Sequence, residues 1–159
     1  MNAPAVRLVA LTRENYHPFM QLRVAPEQET FVALNSVSMA QAYFHPEATM
    51  FGIAAGEEPV GFAMLEDHTK DPANADDDYR KEPYVGLWRF MIAAEHQRKG
   101  YGDQAIELLI AYARTRAPAR VMLLSYIPEE GNPRPFYERH GFAETGEMAG
   151  IERVMRRAL

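Results

Sequence analysis

The sequence predicts an α+β (mixed α/β) domain built on a central mixed sheet flanked by helices. Three observations carry this. Strand-patterned and helix-patterned segments interleave along the whole chain. An apolar run over residues 85–92 leads through the loop Gln97-Arg98-Lys99-Gly100-Tyr101-Gly102 into a helix-patterned segment over 103–116. Residues 121–126 form a continuous apolar run, as a strand in the middle of a sheet requires.

Each element has a local reason. Val6, Leu8 and Ala10 alternate and predict a first strand. Thr12 is placed to cap a short helix through Leu22. Residues 28–44 read as one or two helical pieces, with Phe31, Leu34, Val37 and Ala42 near helical spacing. Residues 50–55 and 60–65 are strand-like, joined by the turn Gly56-Glu57-Glu58-Pro59. Residues 68–83 are polar, acidic and hold two prolines, a connection of unusual length for a compact domain. After the glycine loop, Ala105, Leu108, Leu109 and Tyr112 predict one buried helix face, and Pro118 ends that helix. Residues 133–139 predict a short helix, with Asn132 as cap, Pro133 at its first position and Gly141 closing it. Residues 142–148 and 151–155 read as a terminal hairpin around Ala149-Gly150. There is no repeat, low-complexity tract or linker, so residues 1–159 read as a single domain with room for a real core.

Composition narrows the function classes. The chain has no cysteine, which removes disulfides, thiolate metal sites and a cysteine nucleophile together. Five histidines, His17, His45, His68, His96 and His140, are scattered without ligand spacing, so no metal is expected. The N-terminus lacks the basic and apolar regions of a signal peptide, and no apolar stretch reaches membrane-spanning length. A cytoplasmic location without membrane contact is therefore expected. The net charge of −5 argues against general nucleic-acid binding and is compatible with a cationic small substrate.

The glycine loop is the most informative stretch. The first N–H groups of a helix lack intrahelical partners, and the helix dipole favours anions there. Gly100 and Gly102 let an anion approach the chain closely, and Arg98 and Lys99 add positive charge. The loop is neither G-x-G-x-x-G nor the G-x-x-x-x-G-K-[ST] nucleotide loop. It fits Q/R-x-x-G-x-G/A, and Phe136-Tyr137-Glu138-Arg139-His140-Gly141-Phe142 follows it with one helix and one strand between.

On these two motifs the chain resembles the GNAT N-acetyltransferases over nearly its whole length. Residues 26–35 (Pro-Glu-Gln-Glu-Thr-Phe-Val-Ala-Leu-Asn) and Leu87-Trp88-Arg89-Phe90-Met91-Ile92 resemble more closely the bacterial spermine/spermidine (polyamine) acetyltransferases. The resemblance implies the GNAT acyl-CoA N-acyltransferase fold, with a mostly antiparallel sheet. It implies acetyl-CoA as cosubstrate and direct transfer of its acetyl group to a primary amine, first of all a polyamine such as spermidine or spermine. Other acceptors are an amino acid, an aminoglycoside or a protein N-terminus. A non-catalytic acyl-CoA-binding sensor is the reading of another class.

The resemblance also assigns residues. Phe90, Met91 and Ile92 would lend their backbone to pantetheine, where the strand splays from its neighbour. Gln97, Arg98, Lys99, Gly100, Tyr101, Gly102 and Asp103 would hold the pyrophosphate. Tyr137 would be the general acid, since a phenol with a pKa near 10 can protonate a departing thiolate at neutral pH. Phe136 reads as packing beside the cofactor tail. Many family members carry an asparagine seven residues before the tyrosine; here that position is Glu130, and nearby Asn132 is the candidate to replace it. A polyamine site needs carboxylates for ammonium groups and aromatic faces for the chain. Glu29, Asn35, Glu66, Trp88 and Tyr126 are the candidate lining, and Asp76-Asp77-Asp78 adds negative potential. Glu29, Glu66, Asp67 and Glu82 are candidates for the base. Trp88 and Met91 are an odd number of positions apart, so a regular strand would face them oppositely and a bulge would change that. A homodimer is common in the family.

Overall fold

The structure, a computed structural model, describes residues 4–70 and 82–159. Asp76-Asp77-Asp78 lies outside the described residues. In chain order the elements are β1 (Val6–Ala10), α1 (Tyr16–Met20), α2 (Asn35–Phe44), β2 (Ala48–Ala55), β3 (Glu58–His68), β4 (Tyr84–Ile92), α3 (Tyr101–Arg114), β5 (Val121–Tyr126), α4 (Arg134–Arg139), β6 (Ala143–Ala149) and β7 (Glu152–Ala158). The strands form one seven-stranded sheet in the order β1-β2-β3-β4-β5-β7-β6. Only β4 and β5 pair in parallel; every other neighbour is antiparallel. The α+β reading and the mixed, mostly antiparallel sheet both hold.

One face of the sheet is covered by α3. Its buried stripe is Tyr101, Ala105, Ile106, Leu109, Ile110 and Ala113, packed on Ile53, Ala63, Leu65, Val85 and Leu87. Leu108, expected in this stripe, is 36% exposed; the stripe is centred one residue further round, on Ile106 and Ile110. The other face carries a second cluster of Phe62, Met64 and Met91, covered by side chains from around α1 and α2, including Leu22, Met39 and Ala42.

The N-terminal helices depart most from expectation. Thr12 does not cap a helix; Asn15 Oδ1 accepts from the Thr12 N–H at 2.7 Å, and α1 starts only at Tyr16. Where residues 28–44 read as helix, a single-turn 3-10 helix at Pro26–Gln28 ends as the segment begins, a loop follows, and only then α2. Leu34 and Val37 are exposed, and the buried residues of α2 are Asn35 and Ser38. Apolar spacing therefore misread a loop as helix there.

The centre of the sheet is where the fold makes room for function. β4 and β5 pair over only three positions, Tyr84 with Val121, Val85 with Met122 and Gly86 with Leu123. Beyond them Leu87–Ile92 and Leu124–Tyr126 diverge. On its other side β4 bulges: Met64 pairs with Arg89 and Leu65 with Leu87, which skips Trp88. The extra residue reverses the pleat, so Trp88 and Met91 share the α1/α2 face while Leu87, Phe90 and Ile92 pack on the α3 face.

Candidate active site

The divergence of β4 from β5 opens a cleft of about 1130 Å³ that passes through the sheet. Backbone of β4 left without a ladder partner lines its middle. Phe90, Met91 and Ile92 all border it, as expected.

At the α3 end lies the glycine loop. Gly100 has φ +79° and serves as the N-cap of α3, and Arg98 also has positive φ, +61°. A non-glycine residue there costs roughly 1–2 kcal/mol, strain of the kind that gathers at ligand clamps. No backbone N–H from Arg98 to Asp103 donates to a carbonyl of a described residue, and those of the first helical turn cannot find an intrahelical partner. Arg98, Gly100, Tyr101, Gly102 and Asp103 border the cleft; Lys99 does not. Gln97 borders it too, but its side-chain amide donates to Gln28 Oε1 at 2.7 Å and to the Ile92 carbonyl at 2.9 Å. It braces the loop against β4 and leaves little for an anion.

Phe136 and Tyr137, from α4, form the wall beside this end. Phe136 stacks on Phe90, with ring centroids 5.8 Å apart, and lies against Gly102. Tyr137 is 8% exposed and packs edge-on against Phe136 and Phe142. Burial pushes its phenol well above the usual tyrosine range, and no charge or hydrogen bond opposes it. The hydroxyl therefore remains a proton donor at any physiological pH. Asn132 lies outside the cleft lining. Its amide donates to the Glu129 carbonyl and its Oδ1 accepts from the Arg134 N–H, so it braces the turn before α4, whose N-cap is Pro133 and not Asn132 as the sequence predicts.

The α1/α2 face holds the opposite mouth. Glu29, Glu66 and Trp88 border it. Glu66 pairs with Gly86 across β3 and β4, and its carboxylate lies where a Cβ of residue 86 would be, 2.6 Å from Oε1. Glu66 Oε2 meets His68 Nε2 at 3.1 Å. Two expected lining residues are engaged in other contacts. Asn35 is 3% exposed and donates to the Phe19 carbonyl, so it ties α2 to α1. Tyr126 touches the cleft, but its ring packs in the α3-side core and its hydroxyl donates to Glu144. Burial first, and then that bond, hold the Tyr126 phenol above its usual range.

The other base candidates are also accounted for. Asp67 takes the opposite face from Glu66 and binds Arg116 at 2.7 Å; burial pushes its carboxyl up, but hydrogen bonds from Thr69 and Arg116 outweigh this and hold it below its usual range. Glu82 is ion-paired with Arg156 at 3.0 Å. Of the four, Glu29 and Glu66 face the cleft.

Three residues here escape a reading of sequence alone. Arg89 borders the cleft, with Nη1 donating to the Trp88 carbonyl and Nη2 to Gln41 Oε1. Glu152, at the start of β7, lines the same mouth and accepts from Ser125 Oγ at 3.3 Å. His68 meets Glu66 and Glu47, with one ligand-capable atom of each within 4.8 Å of the others. The scattered histidines concealed that meeting because Glu47 comes from the turn before a different strand, β2. The only signal in the sequence was the Glu66-x-His68 spacing, which puts both side chains on one face of a strand.

Gly102 supplies a direct test of the anion cradle. A Cβ there would meet only ordinary contacts, Phe136 at 3.5 Å and Ile92 at 3.7 Å. Gly102→Ala is thus expected to raise stability by about 0.5–1 kcal/mol, as alanine does in a helix. It is also expected to weaken acetyl-CoA binding about tenfold, or ~1.4 kcal/mol, by filling the space over the helix N-terminus. Thermal melting and calorimetric titration on one sample separate the two; unchanged binding would remove the cradle from this position.

Comparison with known proteins agrees with this geometry. The sequence profile of the acetyltransferase (GNAT) family matches residues 11–142. The spermine/spermidine N(1)-acetyltransferase of Bacillus subtilis (strain 168) is 26% identical over 148 residues, covering 91% of each chain. An acetyltransferase from Thermus thermophilus superposes with a TM-score of 0.72 at 17% identity, over 100% of both chains. An aminoglycoside acetyltransferase solved in complex with coenzyme A gives 0.73 at 14% identity, over 97% of this chain and 95% of that one. Among the described residues no helix is long and apolar enough to cross a membrane.

Proposed function

The chain belongs to the GNAT acetyltransferase family and is an acetyl-CoA-dependent N-acetyltransferase, and from that premise we propose that its acceptor is a polyamine such as spermidine or spermine. The observation that carries the substrate is the mouth on the α1/α2 face, where Glu29, Glu66 and Glu152 border one cleft with Trp88. Several carboxylates spaced around an aromatic face suit a chain with several ammonium groups. The resemblance to the Bacillus enzyme points the same way.

In this reading pantetheine lies along the unpaired edge of β4, and the pyrophosphate sits on the N–H groups of the glycine loop. The acceptor enters from the α1/α2 face. Glu66 takes the proton from the acceptor ammonium, and the freed nitrogen lone pair attacks the thioester carbonyl. A β4 N–H stabilises the oxyanion, an effect worth several kcal/mol in a dry site. The C–S bond then breaks, the thiolate takes its proton from Tyr137, and the Tyr137 phenolate recovers one from the attacking nitrogen as the amide forms. Transfer is direct, since the chain offers no cysteine to carry an acyl group. The setting this reading implies is a cytoplasmic homodimer, which sedimentation of the purified protein tests.

A specific observation favours a second reading. Arg89 reaches only neutral oxygens, and its Nε is buried without a partner among the described residues. Burial pulls its guanidinium below the usual arginine range, opposed by Glu152 and Glu66. A cation so placed suits an acceptor bearing a carboxylate beside its amine, which is an amino acid.

Release of thiol from acetyl-CoA, measured across spermidine, spermine, simple diamines, amino acids, aminoglycosides and short peptides, decides between them. Saturable turnover confined to the polyamines is the expected result. Turnover confined to amino acids, lost in Arg89→Gln, would replace the first reading with the second. Tight acetyl-CoA binding without turnover of any amine would favour a sensor.

A further inference from the structure

The cluster behind Glu66 has no part in the chemistry described so far. Glu66 Oε2 lies 3.1 Å from His68 Nε2. The His68 side chain is 12% exposed and stacks on Tyr84, with centroids 4.8 Å apart. Glu47, from the turn just before β2, lies within 4.8 Å of both. Its other neighbour is His45, whose Nδ1 is 2.9 Å away and whose side chain is 45% exposed. His45 packs edge-on against Trp88 of the cleft wall. A hydrogen bond from His45 is the main reason that the Glu47 carboxyl lies below its usual range, with the His45 and His68 charges adding to it. Glu66, His68, Glu47 and His45 thus form a row of titratable groups from the cleft to solvent.

Such a row answers a chemical need. An alkylammonium has a pKa near 10.4 and an ordinary carboxylic acid one near 4.3, so a proton passed to a lone carboxylate tends to return. An imidazole between two carboxylates is a better resting place, because both favour its charged form. We propose that His68 is a proton-relay residue for this enzyme: it draws the acceptor's proton from Glu66 and hands it through Glu47 and His45 to solvent. The inference rests on the reading of Glu66 as base. In each turnover two N–H bonds of the ammonium break, each leaving its electron pair on nitrogen. The second, broken in the tetrahedral adduct, returns to Tyr137 the proton it gave the thiolate. The first, broken before attack, supplies the proton that the row carries. The proton moves to a Glu66 oxygen, then to His68, and leaves by Glu47 and His45. Glu66 is again ionised before the next acceptor arrives. Among the described residues the charged and titratable groups facing the row are Arg89 and Tyr84 from β4 and Glu152 from β7; Asp67, paired with Arg116, lies on the opposite face.

Two readouts test the relay. The first needs no acceptor: the His68 ring is titrated by NMR in the wild type, Glu47→Gln and Glu66→Gln. Each substitution is expected to lower the midpoint by about a unit or more; a midpoint that neither moves overturns the relay whatever the substrate. The second compares His68→Gln with the wild type at pH 7 on spermidine and on trifluoroethylamine, a weakly basic amine that is mostly neutral there. Turnover of spermidine is expected to fall about 10- to 100-fold and to recover as pH rises, with turnover of the weak amine and the KM for acetyl-CoA unchanged. Equal loss on both amines overturns the relay. If Glu66→Gln is also silent on spermidine, the base reading fails; if Glu66→Gln collapses turnover and His68→Gln does not, the relay alone fails. Should His68→Gln fold poorly, Glu47→Gln takes its place. Loss of activity on dialysis against EDTA, restored by zinc, would make the trio a metal site and overturn the relay.

Discussion

Tyr137→Phe is expected to lower kcat by about 100-fold or more while leaving the fold and the KM for acetyl-CoA nearly unchanged. The ring is the packing element, held between Phe136 and Phe142, and phenylalanine keeps it. What is lost is a hydroxyl at the cleft wall whose proton the departing thiolate needs. That hydroxyl has no hydrogen bond opposing its burial, so its removal leaves no buried group newly unsatisfied, and thermal stability should hold or rise slightly. A drop in kcat with a matching drop in melting temperature would make Tyr137 a packing residue only. The raised phenol pKa adds a pH signature with a defined sign. The native state holds this proton more tightly than the unfolded chain, whose tyrosines titrate near 10. The contribution to stability is complete below pH ~10 and is lost as pH climbs above it. Alkaline unfolding of the wild type should therefore begin earlier than that of Tyr137→Phe, which has no proton to lose.

Much of the fold and about half of the site could be read from residue order, and the division has physical reasons. Strand period, turn residues and the glycine loop are local signals, and they located all seven strands, α3 and α4. The loop and Tyr137 were legible because their chemistry depends on neighbours in sequence: a helix start needs its glycines close by, and a short helix needs its aromatic anchors. The acceptor mouth was not, because it is assembled from β3, β4, β7 and the loop after residue 28. Asn35 stood in a matching stretch yet turned inward to Phe19, since α2 starts at that residue and buries its first turn. Trp88 could be placed only once the bulge was known, because a single extra residue exchanges the two faces of everything after it. Glu152 and Arg89 carried no motif at all. Their relevance comes from facing Glu66 across a gap that only the splayed sheet creates.

Gly86→Ala is expected to reduce turnover of a polyamine about 100-fold while sparing acetyl-CoA binding. Residue 86 is the last β4 position still paired to β5, and it faces Glu66 directly across the ladder. Glycine there has a specific use. A Cβ would lie 2.6 Å from Glu66 Cγ and Oε1 and 3.0 Å from Cδ. Because Cγ itself is in the way, a rotation at the end of the side chain is not enough; the whole carboxylate must swing off Gly86. It then leaves its 3.1 Å contact with His68 and its place at the cleft wall. Displacing a reacting group by about 1 Å can cost 10²-fold in rate, and the cofactor end of the cleft, on the α3 side, is untouched. The double variant Gly86→Ala/Glu66→Gln makes the cause measurable. If alanine acts only by moving this carboxylate, it adds nothing once the carboxylate is gone, and the double variant turns over like Glu66→Gln alone. If the two losses multiply instead, alanine disturbs the β4–β5 junction in its own right, and the short pairing that opens the cleft becomes the sensitive feature.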